Sequence, residues 1–314
     1  MEFQFNGNMF DINNMLNRMD FKAVFEKMQS EIKEDLVFRD SGMTVLTKSS
    51  HQLSKGCEAC KTGTWWCLFM GSECNATCKF CPQSKKEENL KRWTHPRTIT
   101  NYWIDDVKFY FNEYINTING VSYSGGEPFL YLEKIIEIAE HIVKTKEDTY
   151  QWVYTNGKLI NKEKLLRLKD CGIKEVRVDL AATDFDVGVI KKLSLIREVI
   201  GKVTVEVPSI PITFKNLIGD KVFDEIISMG VEQLNLAELQ LSQPINWEIY
   251  ATGEDVYHYD SKFQNTYAPV YSRIITLNIM KYVIENKLDI LVNDCSIDAK
   301  HLQILKRKQT DIIN

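Results

Sequence analysis

The stretch WWCLFMGSECNATCKFC, residues 65–81, joins a short apolar run to three closely spaced cysteines. The run has the length and the aromatic character of a buried β-strand. Cys74, Cys78 and Cys81 follow it directly, with three and then two residues between them. Three thiols in one loop after a strand are typical of a metal site, because thiolates are strong metal ligands. This stretch therefore predicts a strand and a metal-binding loop at its end.

Further runs of the same kind alternate with amphipathic segments along the rest of the chain. The strand candidates are WWCLFMG, INGVSYS, TYQWVYT, EVRVDL, KVTVEVPSI, EQLNLAEL and LDILVND. Alternating strands and helices indicate an α/β protein with a mostly parallel sheet and right-handed crossovers. We predict a partial (β/α)6-type parallel barrel with an N-terminal helical extension and a C-terminal added βα unit.

The predicted organisation has three parts. Residues 1–55 form an N-terminal extension with one predicted helix, and residues 56–240 form the barrel core. Residues 241–314 hold an aromatic insertion, WEIYATGEDVYHYDSKFQNTYAPVY (247–271), and the last strand and helix. A loop of this length in a compact domain is often a lid or a binding loop, although plain packing fits it equally well.

Composition and charge narrow the class of protein. The chain has 314 residues, 39 of them basic and 43 acidic, which gives a formal net charge of −4 and no general reason to expect nucleic-acid binding. No signal peptide is evident, and no apolar run approaches the roughly 20 residues that span a bilayer. Six of the eight cysteines lie between residues 57 and 81, which suggests metal or redox chemistry in a reducing compartment. We expect a cytoplasmic protein with no membrane partner.

Three motifs follow three successive predicted strands. The cysteine loop follows the first, SGGEP (124–128) the second and TNG (155–157) the third. Ligands of parallel barrels bind at the carboxyl ends of the strands, so all three motifs are expected on one rim. The glycines of SGGEP let a ligand approach the backbone, and Glu127 offers a carboxylate to a cationic group. The alternative is an ordinary tight turn between strand and helix.

The three cysteines suit an iron–sulfur cluster with one open iron. A cuboidal 4Fe–4S cluster normally takes four cysteine thiolates, so three leave one iron without a protein ligand. An open position is typical of a catalytic metal site. The alternative is a zinc knuckle, although structural zinc more often binds two C-x2-C pairs.

Cys74-x3-Cys78-x2-Cys81, with Phe80 before the last cysteine and SGGEP after the next strand, resembles the radical SAM superfamily. The resemblance implies that the cysteines bind a 4Fe–4S cluster whose open iron chelates S-adenosylmethionine (SAM). It further implies that an electron from the cluster cleaves SAM to a 5′-deoxyadenosyl radical, and that the glycine motif contacts the methionyl amino group. An external one-electron donor, such as a flavodoxin or a ferredoxin, is then required. The cofactor-binding candidates in these two motifs are Phe80, Ser124, Gly125, Gly126 and Glu127.

Strand alternation adds residues from the later strands. In EVRVDL, Arg177 and Asp179 share one face, and in KVTVEVP the same parity turns Glu206 inward. Arg177 is then a candidate partner for the SAM carboxylate, or else half of a buried ion pair with Asp179 or Glu206. Thr155 and Asn156 of TNG are candidate SAM contacts or plain turn residues. No residue can be assigned as catalytic from the sequence.

Four further cysteines lie outside the triplet motif but close to its strand or to the last one. The segments CEACKTG (57–63) and CSIDAKHLQILKR (295–307) resemble an uncharacterised group related to pyruvate formate-lyase activating enzymes. If the strands follow sequence order, Cys57, Cys60 and Cys295 converge on an auxiliary iron–sulfur cluster or zinc ion. Cys67 is a candidate fourth ligand, but its place inside the strand also fits a buried apolar residue. The alternative is a CxxC turn with an unrelated Cys295.

The leading hypothesis is a radical SAM enzyme that abstracts hydrogen from an organic substrate. The aromatic insertion and the polar N-terminal extension favour a peptide or protein substrate over a small metabolite. A glycyl-radical enzyme activase is a further alternative, suggested by the family resemblance. A zinc-binding structural or regulatory protein would need the cysteines alone and would leave SGGEP and TNG without a role.

Overall fold

The computed structural model of the protein describes residues 2–5, 8–11, 15–40, 44–83, 98–100, 104–259 and 266–312. Its strands are β1 Glu2–Phe5, β2 Asn8–Asp11, β3 Met15–Asn17, β4 Leu36–Arg39, β5 Thr44–Thr47, β6 Trp65–Phe69, β7 Thr98–Thr100, β8 Gly120–Ser124, β9 Tyr150–Thr155, β10 Glu175–Val178, β11 Val203–Pro208, β12 Gln233–Ala237, β13 Val256–Tyr259, β14 Thr266–Pro269 and β15 Leu291–Cys295. Its helices are α1 Arg18–Glu31, α2 Lys55–Thr62, α3 Ile104–Glu113, α4 Leu132–Thr145, α5 Lys162–Asp170, α6 Val187–Ile200, α7 Pro211–Phe214, α8 Val222–Ser228, α9 Pro244–Tyr250, α10 Val270–Glu285 and α11 Ile297–Ile312.

One large sheet carries all seven predicted strands. Its order is β4-β5-β15-β12-β11-β10-β9-β8-β6-β7. The seven predicted strands, from β6 to β15, are parallel to their neighbours in this order, and β5 adds an antiparallel strand beside β15. The predicted strands therefore run around the wall in sequence order, and the sheet stays open. This confirms the predicted partial parallel barrel with an added C-terminal βα unit.

The two faces of the wall differ in polarity. Val176 and Val178 of β10 are fully buried in the main apolar core, on the face that the helices cover. Arg177 and Glu175, at the alternate positions, face the inside of the barrel. We call this inside the lumen. Its described lining includes polar or charged side chains of four strands, namely Glu175, Arg177, Glu206, Gln233, Asn235 and Asn293.

Helix α2 lies at the end of the barrel where the strands begin. Ser54 caps the helix by accepting a hydrogen bond from the Cys57 N–H at 3.2 Å. The Ser54 N–H donates to Oε1 of Gln233, the first residue of β12, at 2.8 Å. The predicted barrel core begins at residue 56, within this helix, but the helix itself was not predicted. Its position brings the CxxC segment to the lumen.

Helix α11 reaches from the end of β15 to the start of β6. The Arg307 guanidinium lies 4.5 Å from the centroid of the Trp65 ring. Gly63, with φ +76°, ends α2 where a Cβ would lie only 2.6 Å from the backbone N of Arg307. Only glycine permits this approach of the two helices. The described part of α11 thus covers the open side of the barrel, between β6 and β15, which do not pair with each other.

The terminal segments are more deeply built into the fold than predicted. The N-terminal helix is present as α1, but β4 and β5 join the main sheet and β3 pairs with β13. The predicted insertion begins within α9 and contains the β13–β14 hairpin. The division into residues 1–55, 56–240 and 241–314 stays a prediction. Within the described ranges, no helix is both long and apolar enough to cross a membrane.

Candidate active site

The cysteine loop after β6 is fixed by backbone pairing with SGGEP. The Met70 N–H donates to the carbonyl of Ser124, and the Gly126 N–H donates to the carbonyl of Gly71, both at 2.8 Å. The Glu127 N–H donates to the carbonyl of Glu73, also at 2.8 Å. The loop and the second motif therefore form one rigid unit at the rim, where the carboxyl ends of β6 and β8 meet.

The glycines of SGGEP make room for the cysteine loop itself. A Cβ on Gly126 would collide with the carbonyl oxygen of Glu73, and one on Gly125 would lie 2.6 Å from the carbonyl oxygen of Gly71. Gly125 also has φ +125°, a conformation that side chains rarely adopt. The glycines are thus required by protein packing, and their contact with a SAM amino group stays a prediction.

The three thiols of the loop lie on the same part of the rim. Cys74 is exposed, whereas Cys78 and Cys81 are half-buried. Burial, together with the neighbouring Asp179, Cys81 and Cys74, raises the pKa of the Cys78 thiol to about 12. Three neighbouring sulfurs that oppose each other's ionisation become thiolates readily only when a metal neutralises them. This donor set fits a cluster with three cysteine ligands.

Glu127 is not placed as the sequence suggested. Its side chain is fully buried, and Oε1 accepts hydrogen bonds from the Phe129 N–H at 3.0 Å and the Thr155 hydroxyl at 2.8 Å. Oε2 accepts the Asn156 N–H at 2.8 Å. Burial raises the pKa of Glu127, and these hydrogen bonds counteract the rise. We therefore correct its role: the carboxylate joins SGGEP to TNG and has no open face for a SAM ammonium group.

The TNG motif supports the cysteine loop. The Asn156 side-chain amide donates to Oδ1 of Asn75 at 2.7 Å and lies 3.9 Å from the Cys74 sulfur. Its own Oδ1 accepts the Lys158 N–H at 3.1 Å, while the Thr155 hydroxyl is committed to Glu127. Asn156 is therefore beside the predicted cluster. Direct SAM contacts of Thr155 and Asn156 remain predictions.

Arg177 lies in the lumen, as its strand parity indicated, but within a buried ion-pair network. Its Nε donates to Glu175 at 2.9 Å, and an η-nitrogen donates to Glu206 at 3.2 Å. The other η-nitrogen donates to Ser54 at 3.2 Å, next to α2. Burial alone would raise the pKa of Glu175, but Arg177 lowers it overall. The ion-pair alternative is the one observed, and the SAM carboxylate assignment for Arg177 is corrected.

Asp179 occupies the rim at the end of β10. Its Oδ1 accepts the N–H groups of Ala181 and Ala182 at 3.0 and 3.3 Å, whereas Oδ2 accepts no hydrogen bond from the described residues. Burial raises the pKa of Asp179 to about 7. The Cys78 sulfur lies 3.9 Å from the carbonyl oxygen of Ala182 in the same turn. Asp179 thus presents one open carboxylate oxygen beside the cysteine loop.

A cleft of about 810 Å³ opens next to the loop. Phe80 and Cys78 line it on one side, and Ala182 lies in the turn behind Asp179. The predicted insertion supplies Tyr250 and Tyr271 to the cleft. A lid or binding role for the insertion stays a prediction, but the described part of it borders the rim.

Two side chains that the sequence did not indicate hold the cysteine loop. The buried Asn246 amide donates to the carbonyls of Lys79 and Cys81 at 2.7 and 3.3 Å. The Tyr131 hydroxyl accepts the Glu73 N–H at 2.8 Å. The Pro244 start of α9 is readable from the sequence, but nothing local links Asn246 to a loop more than 160 positions away.

The predicted second set of cysteines does converge at the lumen. The Cys57 sulfur accepts the side-chain amides of Gln233 and Asn235 at 3.2 and 3.5 Å. The Asn293 amide lies 3.1 Å from the Cys295 sulfur and 3.9 Å from the Cys57 sulfur. Burial raises the pKa of Cys60 well above its usual value, with Arg177, Cys57, Glu206 and Cys295 as its charged neighbours.

Cys67 stands apart from these three. It faces the lumen from β6, where burial raises its pKa and its neighbours are Ser122, Arg307 and Glu206. Among the described residues, no group of three or more His, Cys, Asp or Glu side chains is close enough to hold a single metal ion.

Comparisons with known proteins agree with this site. Residues 68–208 match the sequence profile of the radical SAM superfamily. A curated protein of Methanocaldococcus jannaschii, named "Putative glycyl-radical enzyme activating enzyme", is 27% identical over 218 residues. The match covers 66% of this chain and 56% of that relative, little more than half of its length. The matched residues include the cysteine loop, SGGEP and TNG, so this part of the chain is similar to the radical SAM superfamily. The curated relative is of the activating-enzyme type.

Solved structures show more distant similarity. Streptococcus suis SuiB bound to S-adenosylmethionine has a TM-score of 0.47 at 14% identity, covering 88% of this chain and 60% of that chain. The radical SAM methyltransferase TsrM from Kitasatospora setae, with cobalamin and a 4Fe-4S cluster bound, has a TM-score of 0.42 at 12% identity. That match covers 84% of this chain and 56% of TsrM.

Proposed function

We propose that this enzyme binds a 4Fe–4S cluster through Cys74, Cys78 and Cys81 and cleaves SAM to abstract hydrogen from a peptide or protein. The observation that carries the proposal is the placement of the three thiols in one loop, fixed to SGGEP and adjacent to the rim cleft. The cluster, when bound, supplies the electron that cleaves SAM to a 5′-deoxyadenosyl radical. A one-electron donor such as a flavodoxin or a ferredoxin supplies this electron to the cluster.

The protein residues then bind and orient. Asp179 offers Oδ2 to a cationic group of SAM, the role that Glu127 cannot fill. Asn156 donates toward Cys74 and holds the loop through Asn75. Phe80 packs beside the cleft and keeps its loop close to the apolar core. Ser124, Gly125 and Gly126 shape the rim backbone, and Glu206 lies deeper, paired with Arg177.

A large substrate is favoured by the edges of the cleft. Val187, next to cleft residue Asp186, is 55% exposed, and Ile249, which lines the cleft, is 46% exposed. Exposed apolar side chains around a cleft are typical of a surface that a peptide or protein covers.

A second candidate is the activation of a glycyl-radical enzyme. Its support is the name of the curated relative, and it too requires a protein substrate.

The first experiment tests SAM cleavage. Anaerobically reconstituted protein with SAM and a strong reductant should release 5′-deoxyadenosine and methionine. Cys74→Ala, Cys78→Ala and Cys81→Ala should each abolish the release, because each change removes a cluster ligand. Cys171→Ala is the matched control, since this buried thiol lies at the end of α5 and away from the rim. Cleavage that survives in the triple variant would refute the proposal.

The second experiment tests the size of the substrate. A lysate from deuterium-labelled cells is separated into macromolecular and low-mass fractions, and each is incubated with unlabelled enzyme and SAM. Deuterium in 5′-deoxyadenosine is expected from the macromolecular fraction. Val187→Asp should reduce this transfer. The control is Val24→Asp, at another exposed valine, on α1, which should leave the transfer unchanged. Transfer from the low-mass fraction alone would support a small metabolite instead.

A further inference from the structure

The thiols of the lumen have no part in the proposed rim chemistry. Cys57 and Cys60 come from α2, at the start of the strands, and Cys295 comes from the end of β15. A shared Asn293 amide lies between Cys57 and Cys295, and Cys60 has both as electrostatic neighbours. Three thiols from two distant segments thus meet around one internal position.

Beside this position lies a buried cation for which the described residues supply no hydrogen-bond partner. Lys61 is 4% exposed, and its Nζ makes no hydrogen bond with any described residue. It is close enough to Cys295 to counteract the pKa rise that burial causes in that thiol. A buried ammonium group without an anion costs several kcal/mol, so proteins normally pair it. A negatively charged group bound at the thiols would provide that pairing.

The amides around the thiols also suit a negatively charged occupant. Gln233, Asn235 and Asn293 are fully buried and direct side-chain N–H groups toward the Cys57 sulfur. Asn293 donates to Cys295 as well, at 3.1 Å. Hydrogen bonds from N–H groups to sulfur stabilise the charge of iron–sulfur clusters and tune their reduction potential. Arg177 also lies near Cys57, but its charge is already paired with Glu175 and Glu206.

Three converging thiols suit a cluster with one open iron better than a closed structural zinc site, which normally takes four ligands. A cluster of several irons separates its cysteine ligands more widely, since each thiolate binds a different iron. Cys60 and Cys295 retain accessible surface although they lie inside the barrel, which indicates open space beside them.

We propose that the lumen holds a second iron–sulfur cluster, bound by Cys57, Cys60 and Cys295 and neutralised by Lys61. Cys67 is left out of the proposed ligand set, because no described contact joins it to these three thiols. One iron of a cuboidal cluster is left without cysteine and is accessible from the lumen. This inference goes beyond SAM cleavage and does not depend on it.

Iron and acid-labile sulfide, counted per chain after anaerobic reconstitution, test the proposal. Wild-type protein should hold about eight irons, and Cys57→Ala/Cys60→Ala/Cys295→Ala should hold about four. The Cys74→Ala/Cys78→Ala/Cys81→Ala variant should also hold about four, and these four belong to the lumen. An iron-free rim variant alongside a wild type with about four irons would refute the lumen cluster and leave the proposed function intact. Circular dichroism of each variant, and a Cys57→Ser single variant, separate ligand loss from misfolding.

Lys61 gives an independent readout in the same rim variant. Lys61→Met should make the reduction potential of the remaining cluster more negative, because a reduced cluster carries more negative charge and loses its buried cation. The control is Lys55→Met, an exposed lysine at the start of α2. An unchanged potential or zinc in place of iron would each overturn the proposal.

Discussion

Replacing Glu127 with Gln separates a structural carboxylate from a SAM ligand. The glutamine keeps one carbonyl oxygen, so the Phe129 N–H and the Thr155 hydroxyl still find an acceptor. Its amide nitrogen, however, faces the Asn156 N–H, which donated to Oε2 at 2.8 Å. Two donors then oppose each other at a fully buried position, and a backbone N–H loses its partner.

The magnitude follows from these three contacts. A buried N–H without an acceptor costs about 1–3 kcal/mol, and turning two charge-assisted hydrogen bonds into neutral ones costs about 0.5–1 kcal/mol each. The variant no longer has to bury a charge, which offsets part of this loss, because burial raises the pKa of Glu127. We expect Glu127→Gln to lower the unfolding free energy by about 2–3 kcal/mol.

The assay compares denaturant midpoints and SAM affinity in the cluster-loaded protein. The control is Glu137→Gln, which removes an exposed ion pair to Lys108 and should change the unfolding free energy by less than about 1 kcal/mol. SAM affinity of the folded Glu127→Gln variant should change by less than about threefold, or about 0.6 kcal/mol. An unchanged midpoint together with about tenfold weaker SAM binding would show that Glu127 contacts the ligand after all.

Three further outcomes are expected. The pKa of Asp179 is raised to about 7, so SAM affinity should rise about tenfold between about pH 6 and pH 8 as the carboxylate ionises. In a binding titration, Asp179→Asn should abolish this pH dependence. Asn246→Ala removes the amide that holds two loop carbonyls, so a chelator should extract iron from the rim several-fold faster, and equal extraction rates would refute this role. Arg177→Met leaves Glu175 buried without a cation and should lower the unfolding free energy by about 3–5 kcal/mol. The double variant Arg177→Met/Glu175→Gln should recover most of that loss. Weaker SAM binding in the double variant would contradict the structural role of Arg177.

The strands were predictable because each has one apolar face that must be buried. All seven predicted runs became strands, and their sequence order brought Cys57 and Cys295 to a common amide. The same parity argument placed Arg177 inside the barrel. Parity says which face a side chain occupies but not which partners surround it there. The ion pair of Arg177 with Glu206 depends on the register between β10 and β11 and was therefore not decidable, whereas Glu175 lies two residues before Arg177 on the same face of β10 and was overlooked.

Motif chemistry was less reliable where distant groups decide the role of a side chain. Glu127 follows two glycines, as a ligand-binding carboxylate would, but donors from β9 and the following turn enclose it. Helix α2 was missed because its eight residues have no long apolar period, and its position depends on contacts with the strand starts. Neither the donors around Glu127 nor the contacts of α2 with the strand starts can be read from the neighbouring residues in the sequence.

The position of α11 at the end of the chain determines the order in which the two sets of thiols can form during synthesis. The lumen thiols meet only when Asn293, 236 positions beyond Cys57, has paired in the wall. The contacts of Arg307 with Trp65 and Gly63 come later still in synthesis. The hydrogen-bond partners described for the rim loop, by contrast, all precede β15 in the chain, and Asn246 of α9 is the last of them. During translation, which proceeds from the N-terminus, the cysteine loop can reach its final shape while the lumen is still unfinished. Any occupant of the lumen thiols must therefore be loaded into a chain that is already complete through the last strand.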